Sequence, residues 1–236
     1  MADTQRFTLP LLDAAQAQKH VTMNESLARL DALAAQRFES LGGAVPPGSP
    51  AEGDVHLVGP GATGDWAGED GQIAYFANGG WEFAPPYPGQ RAWDAASGTG
   101  WTLTASGWVS GVVAGSAGGA LSLAEIAEID HAIAAGPTSA TVALIPDKAV
   151  VLGVTARVTA AITGASSWSL GVAGSPDRYG TGFGTGAGSF AHGVTGQPQA
   201  YFGATPLLLT SAGADFAGGT VRIAVHFLAL SPPLSV

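Results

Sequence analysis

The densest group of acids in the chain is Asp65, Glu69 and Asp70, set around Trp66 in a short Gly-containing string. Two carboxylates flanking a bond are what glycoside hydrolysis requires, and an adjacent aromatic ring offers a sugar its stacking face. Acids of this kind also build solvated turns, and that reading carries more weight here because all three stand in turn-like surroundings. A second polar concentration lies at Asp177, Arg178 and Tyr179, which run into a Gly- and Thr-rich stretch ending at Ser189, with His192 just after. These side chains supply an acceptor, a forked donor and a stacking ring for an array of sugar hydroxyls. The alternative is that Asp177 and Arg178 pair with each other while the glycines allow tight packing between subunits. The candidate glycan-binding residues are thus Asp177, Arg178, Tyr179 and His192, with Trp66 and Trp81 as further aromatic platforms. No catalytic residue is assigned.

Other chemistries lack their residues. With no Cys there is no disulfide, thiol nucleophile or Cys-based zinc site. The five His are scattered without helical metal-ligand spacing, so no metal is expected. Neither Lys19 nor Lys148 follows a Gly, which removes the phosphate loop, and no Ser stands in a Gly-x-Ser-x-Gly elbow. Gly59, Gly61 and Gly64 match the dinucleotide fingerprint by letters, but Asp65 and Trp66 follow in a turn where a helix is needed. These glycines are expected to shape a loop. No cofactor and no enzymatic activity are expected.

The elements that position these residues are mostly strands. The stretch from Leu11 to Phe38 is the helical part: Thr22 and Glu25 read as a capping box, and Leu27, Leu30, Ala34 and Phe38 recur at helical spacing. A shorter helix is expected ahead of it, from Asp13 to His20. The apolar stripe either packs on its own domain or pairs with its copies around a symmetry axis. Pro- and Gly-rich residues near 42–50 end this region. Beyond them Asp54 to Val58 alternates as a strand, and Ile73 to Phe83 reads as a hairpin turning at Asn78-Gly79. Five of the six Trp (Trp66, Trp81, Trp93, Trp101, Trp108) fall in this module, as in a small meander filled by indole rings. Residues 111–121 are small and read as a linker. Ser122 to Ala135 fits helix or strand and is assigned as strand. From Ser139 onward, short β-branched runs between Gly-rich turns predict an antiparallel sandwich of the jelly-roll kind. The fold class is therefore mainly β, with a helical region at 1–44, a Trp-rich β module at 45–110, a linker at 111–121 and a C-terminal β-sandwich at 122–236.

Charge is unevenly spread along the 236 residues. The formal net charge is −9 and only 11% of residues are charged, yet 46% are hydrophobic, which excludes intrinsic disorder. Residues 1–130 carry 15 acids and 5 bases, a balance of −10; residues 131–236 carry 3 acids and 4 bases, a balance of +1. A region so poor in charge suits a homo-oligomer whose C-terminal half supplies much of the contact. Nine cations form no basic stripe, so nucleic acid and anionic membranes are not expected partners. Nothing at the N-terminus reads as a signal peptide and no apolar run is long enough to span a bilayer, so neither Sec export nor membrane insertion is expected.

Several strings also resemble a known group. Leu9 to Thr22 with its Gln16-Ala17-Gln18-Lys19-His20 core, Asn24-Glu25, Glu52-Gly53-Asp54, Ala62 to Gly68 and Gly80-Trp81 resemble an uncharacterised N-terminal domain of fibre or spike proteins from alphaproteobacterial prophages and gene transfer agents. Ile145-Pro146, Gly153 to Val158, Ala161 to Ala165, Trp168 to Val172 and Arg178-Tyr179-Gly180 are similar to the C-terminal module that often accompanies it. The resemblance implies a tail fibre or head spike of a particle assembled in the bacterial cytoplasm, a trimer or else a pentamer in contact with other particle proteins. It identifies no catalytic residue, and attachment to a host surface polysaccharide is the role expected of such a component. A purely structural connector and a capsule depolymerase using Asp65, Glu69 or Asp70 are the alternatives.

Overall fold

The computed structural model describes residues 3–12, 19–34 and 36–235. The chain forms two compact units, Met1–Gly111 and Val112–Val236, and both are built chiefly of strands. Among the described residues there is one α-helix, α1 (Lys19–Ala34).

In the first unit α1 differs from the sequence reading in three ways. It begins at Lys19, so Thr22 lies inside the helix and does not cap it; its carbonyl accepts from the Ser26 hydroxyl. Phe38, which the spacing assigns to the helix, is instead a wholly buried strand residue. Leu30 is 54% exposed and Ala34 is exposed, whereas Asp31 and Ala32 are buried. The helix turns its Asp31 side inward because that carboxylate accepts from the Thr4 hydroxyl and from the Arg6 and Phe7 amides, tying the N-terminal segment down. Of the shorter expected helix, Asp13 to Gln18 lie outside the described residues, and Lys19 and His20 open α1.

The strands of this unit are β1 (Arg37–Phe38), β2 (Ser40–Gly43), β3 (Val55–Val58), β4 (Ile73–Ala77), β5 (Gly80–Ala84), β6 (Arg91–Asp94), β7 (Thr99–Thr104) and β8 (Gly107–Ser110). They make two four-stranded sheets, in the orders β2-β3-β4-β5 and β1-β6-β7-β8. All four residues of β3 are buried. Val55 and Leu57 join Phe38 and Ile73 on one side, and His56 and Val58 meet Trp66 on the other. The β4–β5 hairpin turns at Asn78 and Gly79 with φ of 54° and 78°, as a primed two-residue turn requires. At Gly59 a Cβ would stand 2.1 Å from the Gly42 carbonyl oxygen, so that glycine serves backbone approach within a loop. Of the five clustered Trp only Trp66 is fully buried, and Trp93 is 51% exposed. The core rests equally on aliphatic residues.

The second unit contains β9 (Val112–Gly115), β10 (Leu121–Ala132), β11 (Thr138–Ala140), β12 (Val150–Thr163), β13 (Ser167–Gly171), β14 (Phe190–Ala200), β15 (Leu208–Ala212) and β16 (Gly218–Ser231). The segment read as a linker therefore includes an edge strand: Val112 to Gly115 pair with β10 because small residues still complete a backbone ladder. Ser122 to Ala132 are strand throughout. Of the runs expected as strands after Ser139, Thr141 to Ile145 are instead a loop anchored by the Ile145–Thr205 bridge.

These strands form a β-sandwich with a five-stranded sheet, β14-β12-β16-β10-β9, and a three-stranded one, β11-β15-β13. From β10 to β16 the chain alternates between the two sheets, which is jelly-roll order. Residues 179–183 run along the free side of β13, through Tyr179 N–H to Leu170 O at 2.8 Å and the Trp168–Phe183 bridge, and take the place of a fourth strand. Between the layers lie Val154, Ala156, Val158, Val221, Ile223 and Val225 from the large sheet, against Trp168, Leu170, Leu207 and Leu209. The alternating residues of the large sheet point outward, and this open face carries the candidate site.

Candidate functional site

Four neighbouring strands build a depression of about 490 Å³ on the outer face of the large sheet. Period-two alternation decides which side chains line it. On β12 the inward residues are Val154, Ala156 and Val158, so Thr155 and Arg157 point out. The pairings Thr155–His192 and Arg157–Phe190 place the outward residues of β14 beside them. On the other flank Thr155 faces Ala224 and Arg157 faces Arg222, while Glu128 and Asp130 of β10 face Ala224 and Arg222.

The charges on this face are unequally matched. Asp130 receives two hydrogen bonds from the Arg222 guanidinium, at 2.8 and 2.7 Å, and Glu128 lies 3.8 Å from the same group. The Arg222 bonds hold the Asp130 carboxyl below its usual range, and Asp130 in turn raises Arg222. Arg157 differs. It donates to the Gly188 carbonyl at 3.1 Å and lies 5.7 Å over the Phe190 ring, with no carboxylate partner among the described residues. Phe190 is 62% exposed, so one aromatic face meets solvent. In the next row the Thr155 hydroxyl shares a hydrogen bond with His226 Nε2 at 3.0 Å, and His192 stands exposed beside it. An open ring, a free guanidinium and neutral donors and acceptors within two rows of a rigid sheet can stack on and hydrogen-bond a polar ligand.

Of the residues singled out from sequence, His192 alone belongs to this depression. It lies on a strand, not in a loop. Asp177 and Arg178 are exposed in the turn before residues 179–183. They do not pair with each other; Arg178 donates to the Gln199 side chain instead. Tyr179 is a core residue whose hydroxyl meets that of Tyr201 at 2.8 Å, and burial followed by that hydrogen bond pushes its phenol well above the usual range. It offers no stacking face. Trp66 is buried, with ring contacts to Trp81 at 5.1 Å and His56 at 5.4 Å, while Trp81 is half-buried against the same group. The acidic cluster closes a loop: Asp70 accepts from the Gly61 and Ala62 amides at 2.9 Å, and these bonds lower its pKa. A general acid in glycoside hydrolysis needs the opposite shift. Among the described residues no three His, Asp or Glu side chains are close enough to share a metal ion.

Phe190 and Arg222 stand in none of the strings singled out above, and Thr155 and Arg157 lie in the Gly153 to Val158 string without being marked there as site residues. Only the alternation of long strands marks them, and that signal needs the strand pairing to become a site.

A family model described as "Protein of unknown function (DUF2793)" matches residues 23–109. A search of curated proteins finds no match. Among solved structures, the cyanophage Pam1 capsid asymmetric unit is similar at 26% identity, over 44% of this chain and 84% of that one, with a TM-score of 0.35.

Proposed function

We propose that this protein is a non-catalytic structural and receptor-binding component of a phage or gene-transfer-agent particle, a tail fibre or head spike that attaches it to a host surface polysaccharide. The observation that carries the receptor-binding part is the depression on the outer sheet face, where the exposed Phe190 ring sits beside Arg157, His192 and Thr155. Sugar binding uses such stacking together with neutral hydrogen bonds, and weak sites repeated on one particle gain strength through avidity. The particle assignment is supported by the Gln16-Ala17-Gln18-Lys19-His20 and Thr63-Gly64-Asp65-Trp66 strings. The test is binding of the full chain to capsulated and acapsular cells. Binding to capsulated cells alone, weakened by Phe190→Ala, is the expected result; equal binding to both overturns the receptor reading.

A connector role has its own observation. Beyond the depression the same sheet face exposes Ile126 (62%), Val194 (76%) and Leu230 (74%), an apolar tract suited to another protein or to a second copy. Ile126→Asp tests it by light scattering and particle incorporation: a connector or obligate homo-oligomer loses assembly, whereas a pure adhesin site leaves assembly intact.

A further inference from the structure

The geometry points to a carboxylated polysaccharide, one built from uronic or other sugar acids, as the ligand of the Arg157–Phe190 depression. This inference rests on the receptor reading above and narrows its ligand.

Two arginines, Arg157 and Arg222, face each other across β12 and β16. Arg222 is already neutralised by Asp130 and Glu128. Arg157, one strand away, is not. Its guanidinium donates to the Gly188 carbonyl, an uncharged acceptor, which leaves most of its five donors for a ligand. Among the described residues Arg157 has no carboxylate within salt-bridge distance, so an external carboxylate can pair with it without displacing one of the protein's own.

The surroundings decide which anion. The guanidinium lies 5.7 Å from the Phe190 ring centroid, so a group bound to it stands within reach of the exposed part of that ring. A sugar acid has that layout, with a planar carboxylate for the fork and a face of C–H bonds for the ring. His192 and Thr155, paired across β14 and β12 in the adjacent row, lie where ring hydroxyls would need donors and acceptors. A neutral sugar leaves the Arg157 charge unused. A simple inorganic anion leaves Phe190 unused.

The experiment is calorimetric titration of the full chain with polygalacturonate, with its methyl ester, which keeps the hydroxyls and removes the charge, and with dextran sulfate. Polygalacturonate is expected to bind at least about tenfold more tightly than the other two, with Arg157→Gln removing that advantage and Arg178→Gln leaving it unchanged. Equal binding of ester and acid overturns the inference and leaves the polysaccharide reading intact. Dextran sulfate binding as tightly as the acid reduces the site to unspecific anion attraction and also overturns it. If no polymer binds but capsulated cells still retain the protein, the ligand is not a carboxylated sugar of this kind and the inference fails alone. If the cells also fail to retain it, both readings fall. Circular dichroism of Arg157→Gln checks that the sandwich is retained, and Arg157→Lys, which keeps charge but loses the fork, is expected to restore only part of the affinity.

Discussion

Both units bury rings in their cores, but the second opens individual rings further. The first holds five of the six Trp, and its one fully buried indole, Trp66, packs among Trp81, His56 and Val58. The second has a single Trp, buried in the sandwich, yet it sets Phe190 at 62% and Phe202 at 91% exposure. Aromatic density in the sequence thus marks the place where a small module needs volume. The difference follows from strand length. A four-residue strand covered on both faces, such as Val55–Val58, turns every ring near it inward. Strands of 11 to 14 residues in an open five-stranded sheet spend every second side chain on solvent.

Truncating one ring of each kind separates packing from exposure. Trp66→Ala is expected to cost roughly 3–5 kcal/mol of stability in the first unit, since it empties a closely packed space. Phe190→Ala is expected to stay within about 0.5 kcal/mol while reducing glycan retention. Urea unfolding, followed by Trp fluorescence for the first unit and by circular dichroism for the second, reads the stabilities, and cell binding reads the retention. Equal losses of stability would show that Phe190 is a packing residue. Next in size is Asp31→Ala. The carboxylate is 3% exposed and accepts from Thr4, Arg6 and Phe7, so its loss is expected to cost roughly 2–3 kcal/mol. Hydrogen exchange at the Arg6 and Phe7 amides should then become fast; unchanged protection would mean that other contacts hold the segment.

How much of this is legible in the sequence depends on the range of the signal. The Asn78-Gly79 hairpin, the strand from Ser122 and the antiparallel sandwich can all be read, because turn chemistry and alternation are local. The helix face cannot. Leu27, Leu30 and Ala34 make a proper apolar stripe, but the inward side is chosen by the partners of Asp31, which lie 24 to 27 residues away. The site is less legible still. Asp177, Arg178 and Tyr179 look like a polar cluster, yet Tyr179 follows residue spacing into the core and bonds Tyr201. Arg157, Phe190 and Arg222 are separated by dozens of residues, and only the register of β12 against β14 and β16 brings them together.

Tyr179→Phe sharpens that last point. It removes one hydroxyl from the buried pair and leaves the ring, so a loss of roughly 1 kcal/mol is expected, with glycan retention unchanged. A variant that keeps its stability and loses binding would return Tyr179 to the site.

The final contrast concerns acid. Each unit has a His whose pKa is lowered chiefly by burial: His56 beside Trp66 and Trp81, and His131 with Nε2 sharing a hydrogen bond with Ser139 at 2.8 Å. In His56 the Ser40 hydroxyl meets Nδ1 at 2.9 Å, but the buried Nε2 has no partner among the described residues. Asp54 and Glu39 favour its charged form and Arg6 opposes it, and together they do not overcome desolvation. An unfolded His takes up its proton near pH 6.5, above where the folded one does. The stability linked to each His is therefore complete above about pH 6.5 and is lost as the pH falls from there toward the folded pKa. Asp70 and Asp130, whose pKa values are lowered by hydrogen bonds, add their own losses only at lower pH, below the ordinary carboxylate range. Unfolding at pH 7.5 and 5.5 by Trp fluorescence, which reports mainly on the first unit, should show lower stability at pH 5.5. His56→Gln should flatten that difference, and His131→Gln should leave the fluorescence-detected part nearly as it was. If His56→Gln leaves the slope intact, the proton uptake lies elsewhere and the buried indole cluster does not set the acid sensitivity of its unit.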